Sequence, residues 1–182
     1  MTFPALPQRA GDRPETGPEV PHLQLTQTSP PQIRQELRQW MAGALPGISA
    51  GRSEVSVPST WAVFLQDTSA APGALLFPPR WDAEFAHVHA DGSLHLALDP
   101  DDHAEFLSSG WGEKHPLYDR GANVVMLYAP RDRAELEVAK KVVAASYRYA
   151  TGRDASGAAG ADGTTRAAGV SGAAGTAGTA AV

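Results

Sequence analysis

Apolar and polar residues alternate most regularly between Glu84 and Asp99, where the chain contains the stretch "HVHADGSLH". The alternation predicts two antiparallel strands joined by a tight turn. A two-residue turn at Asp91-Gly92 would mix histidines and leucines on both faces of the hairpin. A three-residue turn at 90–92, with Gly92 in the left-handed conformation, separates them.

The three-residue turn therefore sets the predicted register of this hairpin. On one face it places Ala86, Val88, Leu94, Leu96 and Leu98, and on the other Phe85, His87, His89, Ser93 and His95. In this register His87 lies directly opposite His95, and three imidazoles share one face of the sheet.

Helical periodicity and shorter apolar runs predict the other elements. In order they are a helix from about 30 to 44 with Ser29 as its N-cap, short strands at 54–58 and 61–66, the hairpin, a helix of about ten residues between Asp99 and Gly110, a strand at 123–129, and a helix to about 150 capped by Asp132 and Glu135. This order predicts a small single domain of the α+β class. We expect a mainly antiparallel sheet with helices packed on one face.

Composition divides the chain into three parts. Residues 1–28 are rich in proline and lack apolar periodicity, which predicts a disordered arm, and residues 152–182 predict a disordered tail rich in alanine and glycine. The α+β domain is expected to cover 29–151.

Charge and residue usage limit the classes of partner. The formal net charge is −5 and basic residues are scattered, so we expect no nucleic-acid partner. Cysteine is absent from the sequence, which excludes disulfides and thiolate metal ligands. Without an apolar run of about 18 residues or a secretory signal pattern, we expect no membrane association and a cytoplasmic location. The sequence does not predict the oligomeric state.

Three histidines on one face of a hairpin are compatible with a metal site, a catalytic site or a polar surface without a site. Imidazoles in a His-x-His pair, with a third imidazole opposite, could ligate a transition metal. They could also act as general bases, or lie on a polar face open to water. A second unusual stretch, "GWGEKHPLYDRG", places Trp111 and His115 on a predicted loop, where ligand-binding residues are often found.

Several of these elements carry a family resemblance. "EFAHVHADGSLHLALDPDDHAEFLSSGWGEKHPL" and "VVMLYAPRDRAELEVAKKVVAASYRYATG" resemble the fungal luciferase domain family over about residues 80–152. The resemblance implies a small α+β domain. For light-emitting members it implies oxidation of a hydroxylated styryl-pyrone by oxygen, without a known organic cofactor. The matching positions are His87, His89, Asp91, His95, Trp111, His115 and Arg131.

From this resemblance we expect an oxidoreductase of the monooxygenase or dioxygenase type that acts on a small aromatic or hydroxypyrone-like ligand. Its proposed catalytic residues are His87, His89 and His95, and its proposed substrate-binding residues are Trp111, His115, Asp91 and Arg131. The expectation assigns no cofactor and no metal. The alternatives are a binding or interaction module without catalysis and a metalloprotein with histidine ligands.

Overall fold

The fold is known from a computed structural model that describes residues 3–66 and 69–156. The helices are α1 (Pro31–Ala44), α2 (His103–Ser108) and α3 (Arg133–Thr151), and the strands are β1 (Ile48–Arg52), β2 (Trp61–Leu65), β3 (Glu84–Val88), β4 (Leu94–Leu96), β5 (Gly112–Lys114) and β6 (Val125–Leu127). Short 3-10 turns cover Pro100–Asp102 and Tyr118–Arg120. The predicted tail lies outside the described residues from position 157 onward.

The six strands form one antiparallel sheet in the order β1-β2-β3-β4-β6-β5. The predicted hairpin register is confirmed, because His87 lies opposite His95 and Val88 lies opposite Leu94. Gly92 has a φ of 95°, as the three-residue turn requires. The apolar alternation was therefore sufficient to predict this pairing.

A β-bulge interrupts the alternation at the start of β3. Val63 pairs with Ala86, whereas the next residue, Phe64, pairs with Glu84, so Phe85 is an extra residue in its strand. Phe85 turns toward α3, where its ring lies 6.1 Å from that of Tyr147. The prediction that Phe85 shares a face with the histidines is wrong, and Glu84 takes a place on that face instead.

The opposite face of the sheet carries the main hydrophobic core. The residues of β2, β3, β4 and β6 that point to this face are all buried; they include Val63, Ala86, Val88, Leu94, Leu96, Val125 and Leu127. They pack against buried side chains of α1, α2 and α3, among them Leu37, Phe106 and Val142. The predicted α+β class, with helices on one face, is confirmed.

Some local predictions need correction. The side chain of Ser29 does not cap α1; its hydroxyl donates to the carbonyl oxygen of Pro130 at 2.5 Å. The predicted strand at 54–58 is wrong, since the strand in this region is β1, and β5 lies in a stretch predicted as a loop. Asp132 caps α3 as predicted, accepting a hydrogen bond from the Glu135 N–H at 2.9 Å.

The N-terminal segment, residues 3–28, lies against the domain, whereas composition predicts an unfolded arm over 1–28. Phe3 is buried and its ring meets that of Phe106 edge-on at 6.5 Å between centroids. His22 is also buried, on the opposite side of the sheet. The segment has little regular structure of its own, so its order depends on contacts with distant residues that periodicity does not show.

A glycine in β5 tests the packing of α2 on the sheet. A β-carbon at Gly112 would overlap the carbonyl oxygen of Met126 and the ring of Phe106. We expect Gly112→Ala to lower the free energy of unfolding by about 1–3 kcal/mol or more, because backbone and ring must both shift. Urea denaturation followed by circular dichroism measures the change.

The matched control is Gly43→Ala in the last turn of α1, where an added β-carbon meets nothing within 4 Å. Alanine has the higher helix propensity by about 1 kcal/mol, so this variant should be as stable as the unaltered chain or more so. Equal stability of the two variants would contradict the predicted packing.

Candidate functional site

The sheet face opposite the helices forms the base of a pocket with a volume of about 350 Å³. Its walls come from the N-terminal segment, the loop after β1, the loop before β3 and the loop between β5 and β6. The pocket is lined by Val20, Pro21, His22, Val55, Ser56, Val57, Phe77, Pro78, His87, His89, His95, His115, Leu117, Ala122 and Val124. Most of these side chains are apolar, and the polar ones are almost all imidazoles.

Five of the lining residues form a histidine cluster, which consists of His22, His87, His89, His95 and His115. The three that the hairpin contributes are only 3%, 1% and 5% exposed. Neighbouring rings in the cluster lie 4.5–5.3 Å apart between centroids. A polar hairpin face open to water, one alternative from the sequence, therefore does not describe this surface.

Three of these imidazoles form a continuous hydrogen-bonded chain between two glutamates. Glu84 Oε1 lies 2.7 Å from His87 Nδ1, and His87 Nε2 lies 3.1 Å from His95 Nδ1. His95 Nε2 then lies 3.1 Å from His22 Nδ1, and His22 Nε2 lies 2.8 Å from Glu113 Oε1. The chain crosses the pocket wall from β3 to β5.

Counting hydrogens along this chain shows that it is one proton short. Its four links need one hydrogen each, whereas three neutral imidazoles carry three N–H groups in total. With carboxylates accepting at both ends, some pair of facing nitrogens must present two lone pairs to each other. The chain is satisfied only by an additional proton or by another cation in one of its links.

Both glutamates are held in place by further donors. Glu84 accepts hydrogen bonds from the Ser53 hydroxyl at 2.7 Å and from the Glu54 N–H at 3.0 Å. Glu113 accepts from the Tyr128 hydroxyl at 2.8 Å and forms an ion pair with Arg13. These contacts fix the ends of the chain and thereby orient the imidazoles between them.

The other two histidines of the cluster lie beside the chain. His89 Nδ1 lies 3.0 Å from the Ser93 hydroxyl, whereas its Nε2 is buried without a hydrogen-bond partner among the described residues. His115 Nδ1 accepts a hydrogen bond from the Leu117 N–H at 3.1 Å. His89 Nε2 is thus a polar atom whose partner must come from the pocket.

Burial controls the electrostatics of the site. Desolvation, assisted by the charges of neighbouring histidines, lowers the pKa of His89 to about 3 and that of His115 to about 4. The same causes lower the pKa of His95 well below its usual range. Burial raises the pKa of Glu113, but hydrogen bonds from His22 and two hydroxyl groups outweigh it and lower that pKa to about 2.

Two overlapping sets of three histidines bring candidate metal-ligating nitrogens close together. One is His87, His89 and His95, and the other is His22, His95 and His115. Within each set the candidate ligand nitrogens lie within 4.8 Å of one another. The donors are all imidazole nitrogens, which suit zinc, copper, nickel and iron(II) better than calcium or magnesium.

The remaining predicted site residues do not line the pocket. Trp111 is buried and its Nε1–H donates to the carbonyl oxygen of Pro7 at 2.6 Å. The carbonyl oxygen of Asp91 accepts from the Ser29 N–H at 2.8 Å. Arg131 pairs with Glu135 and donates to the carbonyl oxygen of Ala10 at 2.9 Å and to Gln27 Oε1 at 3.0 Å.

These three residues contact the N-terminal segment or the residue that follows it. Of the predicted substrate-binding residues, the pocket contains only His115. The predicted catalytic residues His87, His89 and His95 are brought together there.

Sequence reasoning missed His22, Glu84 and Glu113. His22 was assigned to an unfolded arm, although the short alternation in "HLQLTQ" was a signal, since His22 and Gln24 are buried and Leu25 is exposed. Glu84 joins the site only through the bulge at Phe85. Glu113 lies in the unpredicted strand β5, and the residues that contact its carboxylate, Arg13, His22 and Tyr128, are distant in sequence.

Comparison with known proteins finds similarity to one family. The model of the luciferase domain matches residues 82–146. A protein named luciferase from Armillaria mellea is 30% identical to this chain over 172 residues, and the match covers 84% of this chain and 64% of the relative. A protein named luciferase from Neonothopanus nambi is 32% identical over 171 residues, and that match covers 82% of this chain and 62% of the relative. The chain thus spans less than two thirds of the length of these curated relatives.

No solved structure matches the chain. Among the described residues, no helix is long and apolar enough to cross a membrane.

The lowered pKa values of the buried histidines predict acid sensitivity. In the unfolded chain these groups titrate near 6.5, so between about pH 6.5 and 4 the unfolded state binds more protons than the folded state. Stability should therefore fall as the pH is lowered through this window, by about 1 kcal/mol or more, because each unit of pKa depression is worth about 1.4 kcal/mol before screening by solvent is subtracted. Urea denaturation at a series of pH values, with EDTA present, measures the slope.

His89→Asn provides the comparison for this slope. The variant retains a polar side chain but has no group that titrates in the window, so its stability should depend less steeply on pH. A free energy of unfolding that stays constant between about pH 7 and pH 4 would contradict the prediction.

Proposed function

We propose that this chain, which belongs to the luciferase domain family, binds a small planar molecule with a ring hydroxyl and oxidises it with molecular oxygen. The observation that supports this proposal is the largely apolar pocket with five imidazoles in its wall. The reaction would be of the monooxygenase or dioxygenase type. It would need no organic cofactor, as expected from the family resemblance.

The size and walls of the pocket suit a molecule of one or two rings. A volume of about 350 Å³ lies near the lower end of the range for small-molecule sites. Phe77 offers an aromatic surface beside His87, with 5.3 Å between ring centroids. Apolar side chains such as Val57 and Val124 complete the walls. The Ser56 hydroxyl is already paired with that of Thr60 at 3.1 Å, so the hydroxyl group of the ligand would find its polar partners mainly at the histidine cluster.

The chemistry proposed for the cluster is removal of the hydroxyl proton. Addition of oxygen to an aromatic or pyrone ring requires an electron-rich ring, and deprotonation of a ring hydroxyl supplies it. In the tautomer that donates Nδ1–H to Ser93, His89 Nε2 presents a lone pair. This nitrogen would accept the first hydrogen bond from the ligand.

The hydrogen-bonded chain beside His89 would carry the proton away from the pocket. His87 and His95 are linked to each other and lie 5.0 Å and 4.5 Å from the His89 ring between centroids. The chain ends at Glu84 on one side and at Glu113 on the other, so both ends offer a carboxylate acceptor. Loss of either central imidazole would interrupt the chain.

Oxygen uptake tests the proposal directly. The purified full chain should consume oxygen when it is incubated with members of a panel of hydroxypyrones and hydroxylated aromatic compounds, with light emission recorded in parallel. We expect His87→Ala and His95→Ala each to slow consumption by about 100-fold or more, the usual contribution of general acid–base groups. An oxygen electrode measures the rate.

Two further variants separate chemistry from binding. Ala122→Phe adds a ring to the pocket wall and should weaken ligand binding without removing a histidine. His103→Gln changes a buried histidine outside the pocket, hydrogen-bonded to Tyr118 at 2.6 Å, and should leave the rate close to that of the unaltered chain. Consumption that persists in both His87→Ala and His95→Ala would refute the role of the cluster, and ligand binding without any oxygen uptake would identify a binding module.

A further inference from the structure

We propose that His87, His89 and His95 bind a divalent transition metal ion, with His87 Nε2, His89 Nε2 and His95 Nδ1 as ligands. This inference differs from the expectation of a metal-free site and goes beyond the proposed function, one part of which it changes. A bound ion would occupy the lone pair of His89 Nε2 and the link between His87 and His95, so the ion would replace His89 Nε2 as the group that meets the ring hydroxyl. The inference is based on the positions of the three nitrogens, on an unpartnered buried atom, and on the hydrogen count of the chain.

The spacing of two of these nitrogens is that of neighbouring ligands on one ion. His87 Nε2 and His95 Nδ1 lie 3.1 Å apart. Two nitrogens at about 2.0–2.1 Å from a common ion lie roughly 2.8–3.4 Å apart at angles between a right angle and the tetrahedral angle. One candidate ligand atom from each residue of the set lies within 4.8 Å of the other two, so the third nitrogen would have to approach by no more than roughly 1.5–2 Å to reach the same ion.

The unpartnered side-chain nitrogen of His89 is independent evidence for a bound ion. Its side chain is 1% exposed and lies against the rings of His87 and His95, yet its Nε2 has no hydrogen-bond partner among the described residues. A buried nitrogen in this state costs about 1–3 kcal/mol. A metal ion between the three rings would satisfy it.

The same ion would resolve the missing proton in the chain. If it replaces the hydrogen between His87 and His95, the remaining three links need three hydrogens, which three neutral imidazoles supply. His87 Nδ1–H then donates to Glu84, His95 Nε2–H donates to His22, and the His22 Nε2–H donates to Glu113. Each of the three remaining links then contains one N–H donor and one acceptor.

Outer partners of this kind are characteristic of metal-binding histidines. Each proposed ligand has its second nitrogen at hydrogen-bond distance from another group: Glu84 at 2.7 Å, Ser93 at 3.0 Å and His22 at 3.1 Å. Such partners fix the ring orientation and the tautomer and increase the basicity of the ligand nitrogen. Two glutamates near the ends of the chain would also balance the double positive charge.

The overlapping set of His22, His95 and His115 fits less well. In the neutral tautomer whose Nδ1 accepts a hydrogen bond from the Leu117 N–H, His115 carries its hydrogen on Nε2, so neither of its nitrogens offers a lone pair to an ion. The ligand set of the hairpin, His87, His89 and His95, leaves this contact intact. Its three residues line the pocket, so an open coordination position on the ion would face the pocket. Binding of the ring hydroxyl at this position is the one part of the inference that rests on the proposed function.

Metal binding can be measured without a substrate. The full chain, purified without a His tag and treated with EDTA, is titrated with Co²⁺ and separately with Zn²⁺ in the absence of any ring compound. We expect one equivalent of Co²⁺ to bind, with visible d–d absorption typical of nitrogen ligands, and to be displaced by Zn²⁺. The Tm should rise with the concentration of Zn²⁺, because the ion binds the folded chain.

Variants assign the ligands. His89→Ala and His89→Gln should both lose the Co²⁺ spectrum and the shift in Tm at concentrations that saturate the unaltered chain. Glu84→Gln should weaken binding by about 10–100-fold, the usual effect of an outer partner. His115→Ala is the matched control, since it removes an imidazole from the same pocket and should bind Co²⁺ as the unaltered chain does.

Two results would overturn the proposed metal site. An unaltered chain that binds no stoichiometric Co²⁺ or Zn²⁺ would overturn the inference, as would loss of binding in His115→Ala together with retention in both His89 variants. Circular dichroism checks that each variant is folded. If the His89 variants are not folded, the Co²⁺ affinity of Glu84→Gln is compared with that of the unaltered chain instead. Because these titrations use neither oxygen nor substrate, their failure is distinct from a failure of the oxygen-uptake experiment.

Discussion

The pairing of His87 with His95 across the hairpin is the contact on which the rest of the site depends. It requires the three-residue turn, in which Gly92 adopts a positive φ, and a shift by one residue would send both imidazoles into the helix-covered core. That core is filled by Val88 and Leu94. One strand register therefore both buries the leucine face of the hairpin and assembles the histidine face.

The bulge at Phe85 adds a carboxylate to this arrangement. Regular alternation would have placed an aromatic ring beside the histidines and Glu84 in the helix-covered core, where a carboxylate is costly. The extra residue exchanges the two, so Phe85 packs near Tyr147 and Glu84 reaches His87. Local irregularity of a strand here serves both the core and the polar site, as bulges near functional sites often do.

How much the sequence predicts depends on the range of the interactions. The hairpin register, the helices and the meeting of His87, His89 and His95 follow from local periodicity, and they are confirmed. The bulge does not follow, because it depends on how β2 and β3 fit together. Neither does the position of His22, since the N-terminal segment is ordered by distant partners and its proline-rich composition predicts the opposite.

The residues that resemble the family pattern but lie away from the pocket are explained by the same segment. Trp111 and Arg131 hydrogen-bond to residues of the N-terminal segment, and Asp91 to the residue that follows it. Holding the segment in place brings His22 onto His95 and covers one side of the pocket. Exclusion of water in turn strengthens the hydrogen bonds of the chain. These motif residues therefore affect the pocket through the N-terminal segment that they hold in place.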